Sequence, residues 1–150
     1  MTRKFVEAVE GTAAVILDTR KTIPGLRLLD KWAVRLGGGQ NHRFGLFDMV
    51  MIKDNHITAV GSIADAVRQV RAGDSQHRAI EVEVKNLTEL HEVLELHVDR
   101  VLLDNMSPEE MREAVHVTAG RVPLEASGNV SLDNVASVAA TGVDYISIGS

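Results

Sequence analysis

Short apolar segments recur along the chain, and amphipathic stretches with polar starts separate them. The apolar segments are near-continuous rather than alternating, as expected for strands that are covered on both faces or closed into a barrel. Because such strands alternate with helical patterns, we predict a parallel sheet with right-handed crossovers. The six predicted strands span residues 14–17, 49–52, 80–84, 101–103, 122–124 and 145–148.

Capping residues precede most of the helical patterns. Ser107 is followed by Pro108 and by the acids Glu109 and Glu110, a combination that favours a helix start. Helices are also predicted after Ser62 and Asn86, at the start of the chain, over 29–36 before three glycines, and over 132–140 between Ser131 and Gly142.

Composition limits the function classes. A chain of 150 residues that is 45% hydrophobic suits one globular domain. It has no cysteine, which excludes disulfides and thiolate metal sites. No apolar run is long enough to span a membrane and the first residues lack a signal peptide, so we predict a cytoplasmic protein without a membrane partner. The net charge of -5 argues against a nucleic-acid partner.

The strand ends carry the candidate chemistry, because ligands of parallel α/β folds bind at the carboxyl ends of the strands. Arg20, Lys21, His42, Arg43 and Lys53 cluster after the first two strands and can hold two or more anionic groups. The alternatives are a solvated charged face for the cluster, a hydrogen-bonding role within the loop for His42, and a Schiff-base lysine for Lys53.

The later strands add acidic and small residues. Glu83 and Asp104 lie on adjacent predicted strands and suit ribose hydroxyls or a hydrated Mg²⁺ ion. Glu81 shares the face of Glu83, which lies nearer the strand end. A phosphate group is the expected ligand of the last two strand ends. The residues expected to contact it are Ser127, Gly128, Asn129, Gly149 and Ser150.

Eight short motifs, in the order in which they occur along the chain, carry a resemblance to a known family. They are DTRKT at 18–22, PGLR at 24–27, GGGQNHR at 37–43, IKDNH at 52–56, EVEV at 81–84, LDNM at 103–106, LEASGN at 124–129 and YISIG at 145–149. Together they cover essentially the whole chain, which resembles quinolinate phosphoribosyltransferase, also called carboxylating nicotinate-nucleotide pyrophosphorylase.

The resemblance implies an open six-stranded α/β barrel, similar to a TIM barrel. It also implies an enzyme of de novo NAD biosynthesis that makes nicotinate mononucleotide from quinolinate and phosphoribosyl pyrophosphate, with Mg²⁺, and releases pyrophosphate and CO₂. The implied quinolinate ligands are Arg20, His42, Arg43 and Lys53, and the implied catalytic residues are Lys21, Lys53, Glu83 and Asp104. The implied ribose and phosphate contacts are those of Lys21, Glu83, Asp104, Ser127, Gly128, Asn129, Gly149 and Ser150. Glu83 and Asp104 are also implied to hold Mg²⁺, indirectly or through the substrate.

The chain departs from the family pattern at both ends. Members carry an N-terminal α/β domain of roughly a hundred residues. That domain packs over the partner subunit's barrel and lends it an arginine. We therefore expect residues 1–150 to be a barrel domain truncated at both ends, from a protein that forms a homodimer or higher homo-oligomer through the domain lacking here. Two alternatives remain, a related pyrophosphorylase-like protein of molybdenum metabolism and a non-catalytic barrel fragment that binds only anions or a partner chain.

Overall fold

A computed structural model describes residues 1–149, so the phosphate contact predicted for Ser150 lies outside the described residues. Within that range the strands are β1 Val15–Leu17, β2 Val50–Ile52, β3 Ile80–Val84, β4 Arg100–Asp104, β5 Leu124–Ser127 and β6 Tyr145–Ser147. All six pair in parallel in one sheet with the order β1-β6-β5-β4-β3-β2. The predicted α/β class and open six-stranded barrel are confirmed.

Helices connect the strands. They are α1 Thr2–Ala8, α2 Arg27–Leu36, α3 Asp54–Val60, α4 Ile63–Gly73, α5 Leu87–Leu94, α6 Pro108–Thr118 and α7 Val135–Ala139. Ser62, Asn86 and Ser107 cap α4, α5 and α6 with their side chains, as predicted. Among the helices of residues 1–149, none has the length and apolar character needed to cross a bilayer.

Three elements differ from the sequence prediction by more than two residues at an end or by not having been predicted, and the other predicted ends agree within two residues. Strand β5 lies further along the chain than predicted, because Pro123 has no N–H to donate to a neighbouring strand. Its carbonyl oxygen accepts a hydrogen bond from the Val101 N–H. Helix α7 begins at Val135 rather than 132, since the Asn134 side chain accepts from the Ser131 N–H and holds a turn there. Helix α3 was not predicted, and its apolar residues Ile57 and Val60 pack only partly buried against the core.

The two faces of the sheet differ in polarity. Val82, Val84, Val101 and Leu103 are fully buried in the apolar core. Because side chains alternate along a strand, Glu81 and Glu83 point to the opposite face, the inside of the barrel. The interior is therefore lined by polar groups, which is where a ligand site can form.

Candidate active site

A cavity of about 600 Å³ opens at the carboxyl ends of the strands, a volume typical of small-molecule sites. We call it the central cavity. The structure brings together here every predicted site residue within residues 1–149: Arg20, Lys21, His42, Arg43, Lys53, Glu83, Asp104, Ser127, Gly128, Asn129 and Gly149. The sequence interpretation had assigned no role to several other lining residues, among them Thr19, Met51, Leu102, Asn105 and Ser147.

Two arginines form the cationic side of the central cavity. The Arg43 guanidinium donates from Nη1 to the Met49 carbonyl, 3.2 Å away, and its Nη2 lies 3.6 Å from the Met51 sulfur. Burial and the nearby charge of Arg20 both lower the pKa of Arg43, although an arginine stays protonated at any physiological pH. Two cations that repel each other beside a cavity make a favourable site for an anion that can neutralise both.

His42 lies at the floor of the cavity with its ring engaged by protein groups. Its side chain is 4% exposed, and Nε2 lies 3.0 Å from Glu81 Oε2 and 3.1 Å from Glu125 Oε2. Burial alone would lower the pKa of His42, but contacts with Glu125 and Glu81 outweigh it and raise the pKa to about 9. The Arg43 N–H, 2.7 Å from Nδ1, favours a neutral ring, but a single amide dipole is weaker than two carboxylate charges. The direct contact with a substrate carboxylate predicted for His42 stays a prediction.

Arg100 completes this buried cluster. Its Nη1 lies 3.0 Å from Glu125 Oε2, and its guanidinium stacks 4.2 Å from the Tyr145 ring centroid. His42, Glu81 and Glu125 could also supply three ligands to a metal ion. The guanidinium beside them already supplies the counter-cation, so the arrangement is better described as an ion network.

The cluster makes the stability of the fold depend on pH. The pKa of His42 is raised from 6.5 to about 9, so the folded state binds more protons than the unfolded state between these values, and the free energy of unfolding falls as pH rises. We expect a loss of up to about 3 kcal/mol from this group. Urea unfolding at pH 6 and at pH 9 measures this loss, and the His42→Gln variant should show a smaller difference in the free energy of unfolding between the two pH values. An equal difference in the variant and in the unaltered protein would contradict the assignment.

Lys53 and Glu83 meet in the cavity although the sequence assigned them to different ligands. Lys53 Nζ lies 3.0 Å from Glu83 Oε2, and the side chains are 44% and 10% exposed. A lysine held by a carboxylate acts as a fixed cation, whereas a Schiff-base lysine must present a free amine. The contact favours the anion-binding interpretation of Lys53.

A chain of amides joins the loops that follow β4 and β5. Asn129 Nδ2 donates to Asn105 Oδ1 at 2.9 Å, and Asn105 Nδ2 donates to Asp104 Oδ1 at 2.9 Å. Gly128 and Asn129 both have positive φ, 92° and 51°. A Cβ atom on Gly128 would overlap the Asn105 side chain. This loop therefore requires glycine, which lets a ligand approach the backbone closely.

The comparisons with known proteins agree with this geometry. The sequence model described as "Quinolinate phosphoribosyl transferase, C-terminal domain" matches residues 1–150. The chain belongs to this family. The family is enzymatic, and its curated members are named for carboxylating nicotinate-nucleotide pyrophosphorylase or quinolinate phosphoribosyltransferase activity.

Members of the family with similar sequences include two bacterial proteins. The chain is 50% identical to the probable carboxylating nicotinate-nucleotide pyrophosphorylase of Synechocystis, with 98% of this chain and 51% of that protein covered. It is 50% identical to the Mycobacterium leprae nicotinate-nucleotide pyrophosphorylase, with 100% and 54% covered. The chain thus spans about half the length of the curated relatives it matches.

Solved structures of the family have the same fold. The nicotinate-nucleotide pyrophosphorylase of Ehrlichia chaffeensis superimposes with a TM-score of 0.94 at 49% identity, over 99% of this chain and 54% of that one. The nicotinate-nucleotide pyrophosphorylase of Francisella tularensis superimposes with a TM-score of 0.95 at 49% identity, over 99% of this chain and 52% of that one. The described barrel therefore corresponds to about half of each solved protein.

Proposed function

We propose that this chain forms the barrel in which phosphoribosyl is transferred to quinolinate with loss of CO₂. The central observation is the division of the cavity into two ends of different chemistry. Arg20 and Arg43, whose charges interact, come from segments beside the edge strands β1 and β2, whereas the glycine-bearing loop of Gly128 follows β5, in the middle of the sheet. A planar dicarboxylate and a phosphorylated ribose are complementary to these ends.

The proposed reaction needs positioning and charge rather than a protein nucleophile. The pyridine nitrogen attacks the anomeric carbon of the ribose as pyrophosphate leaves. The pyridinium nitrogen then stabilises the carbanion that forms when the 2-carboxylate departs as CO₂, and a proton takes its place. Arg20 and Arg43 would hold the carboxylates, and Glu83 and Asp104 would hold the ribose hydroxyls.

We also propose Mg²⁺ as the cofactor. Glu83 and Asp104 line the same polar cavity, and Mg²⁺ is usually held by one or two carboxylates together with phosphate oxygens. Asp104 is the better placed of the two, because Glu83 already faces Lys53. The bound ion would neutralise charge on the leaving pyrophosphate.

An apolar surface supports the proposal of a homo-oligomer. On α2, Leu28 and Trp32 are one turn apart and are 71% and 61% exposed. Exposed apolar side chains of this size that are neighbours on one helix face are typical of protein interfaces.

A chimera tests the proposed reaction. This chain would replace the matching half of the Synechocystis relative, to which it is 50% identical. We expect release of labelled CO₂ from quinolinate that depends on both phosphoribosyl pyrophosphate and Mg²⁺. A folded chimera that releases no CO₂, while the parent protein does, would overturn the proposed function.

A further inference from the structure

The loop that carries Asn41, His42 and Arg43 crosses the open edge of the barrel. Within residues 1–149, β1 and β2 are the two edge strands and do not pair with each other. The loop touches β1 through one isolated parallel bridge, between Leu17 and Gln40. A full ladder of backbone hydrogen bonds fixes neighbouring strands elsewhere in the sheet, so other contacts must set the position of this loop.

A buried ion pair supplies those contacts. Lys31 lies on α2 and is 3% exposed, and Asp18 directly follows β1. The Lys31 Nζ lies 2.5 Å from Asp18 Oδ1. The same Nζ donates to the carbonyl oxygens of His42 and Arg43, at 3.2 and 3.0 Å. Asp18 in turn accepts from the His42 N–H at 2.8 Å and from Asn41 Nδ2 at 2.7 Å. All three donors of the ammonium group are therefore used.

We propose that Lys31 and Asp18 are positioning residues that set the separation of Arg20 and Arg43 and so adapt the cavity to a dicarboxylate, an inference that rests on the proposed function. Asp18 precedes Arg20 by two residues, and Lys31 holds the carbonyl of Arg43. The pair thus joins the two backbone segments that carry the arginines. Neither Lys31 nor Asp18 lines the central cavity, so both act through the arginines.

Stability alone does not explain this pair. Replacing a buried ion pair by apolar residues of similar size is often neutral or stabilising, because the desolvation cost offsets the attraction. A pair that holds two loop carbonyls and a loop N–H instead fixes one arrangement of the loop. That arrangement is what a site for two carboxylates requires.

The test compares the two ends of the cavity. In Lys31→Met we expect the dissociation constant for quinolinate to rise by about tenfold or more, and that for phosphoribosyl pyrophosphate to stay within about twofold, by titration calorimetry. The preference for quinolinate over the monocarboxylate nicotinate should also fall. Asp18→Asn keeps the size of the side chain and should show the same split, which provides a second variant if Lys31→Met does not fold.

Asp74→Asn controls for lost stability. Asp74 is a buried carboxylate, 8% exposed, that faces Arg78 outside the central cavity. We expect this variant to be destabilised with unchanged quinolinate affinity. Unchanged quinolinate affinity in Lys31→Met and Asp18→Asn, or an equal loss for both substrates, would overturn the inference while leaving the proposed function intact. Absence of quinolinate binding by the unaltered chain would instead overturn the proposed function.

Discussion

Arg43→Ala is expected to weaken quinolinate binding by more than about tenfold, because a charge-assisted pair with a carboxylate is lost and each such pair contributes about 1.5–3 kcal/mol. The guanidinium is oriented in advance by the Met49 carbonyl, so the unaltered protein loses little freedom when the ligand binds. Arg43→Lys should recover only part of the affinity, since lysine keeps the charge but not the planar fork.

Arg112→Ala is the matched control for Arg43→Ala. It removes the same charge from α6, where the Arg112 side chain is 52% exposed and faces Glu109. Titration calorimetry should give an unchanged dissociation constant for quinolinate. If Arg43→Ala behaved like this control, Arg43 would not belong to the dicarboxylate end of the cavity.

Gly128→Ala is expected to damage the other end of the cavity. At a φ of 92° an alanine costs about 1–2 kcal/mol in backbone strain. Its Cβ would also overlap the Asn105 side chain, which holds Asp104 and Asn129. The affinity for phosphoribosyl pyrophosphate should fall by more than about tenfold, whereas quinolinate affinity should change by less than about twofold.

Gly120→Ala separates strain from overlap. Gly120 also has a positive φ, 74°, but an added Cβ would meet nothing within 4 Å. Both variants should lose stability in urea unfolding because both carry the backbone strain, Gly128→Ala at least as much as Gly120→Ala because of the added overlap, and only Gly128→Ala should lose affinity for phosphoribosyl pyrophosphate. Equal affinities for phosphoribosyl pyrophosphate in the two variants would show that the Gly128 loop does not bind the phosphate.

Most of the candidate site could be predicted because parallel strands end at one edge of a sheet. Arg20, Lys53, Glu83 and Asp104 each follow or end an apolar run, and no further information is needed to place them together. Capping chemistry likewise placed the start of α6, since Ser107 and Glu110 satisfy each other's backbone within one turn.

The buried ion networks could not be predicted in this way. Lys31 stands in an amphipathic helix, where a lysine is ordinarily solvated, and its burial accompanies contacts with Asp18 and with the carbonyls of His42 and Arg43, which are distant in sequence. The carboxylate partners of His42 come from β3 and β5, which are distant in sequence and lie on either side of β4 in the sheet. One signal was present in the sequence: Glu81 and Glu125 interrupt apolar strands, and buried carboxylates require such partners.

The central claim is that the cationic end of the cavity is a dicarboxylate site. Titration of quinolinate and of nicotinate into the unaltered protein tests this claim most directly. The two ligands share the pyridine ring and differ by one carboxylate. If Arg20 and Arg43 each bind a carboxylate, quinolinate should bind at least about tenfold more tightly than nicotinate, because it gains one charge-assisted pair. Equal affinities for the two ligands would contradict the account.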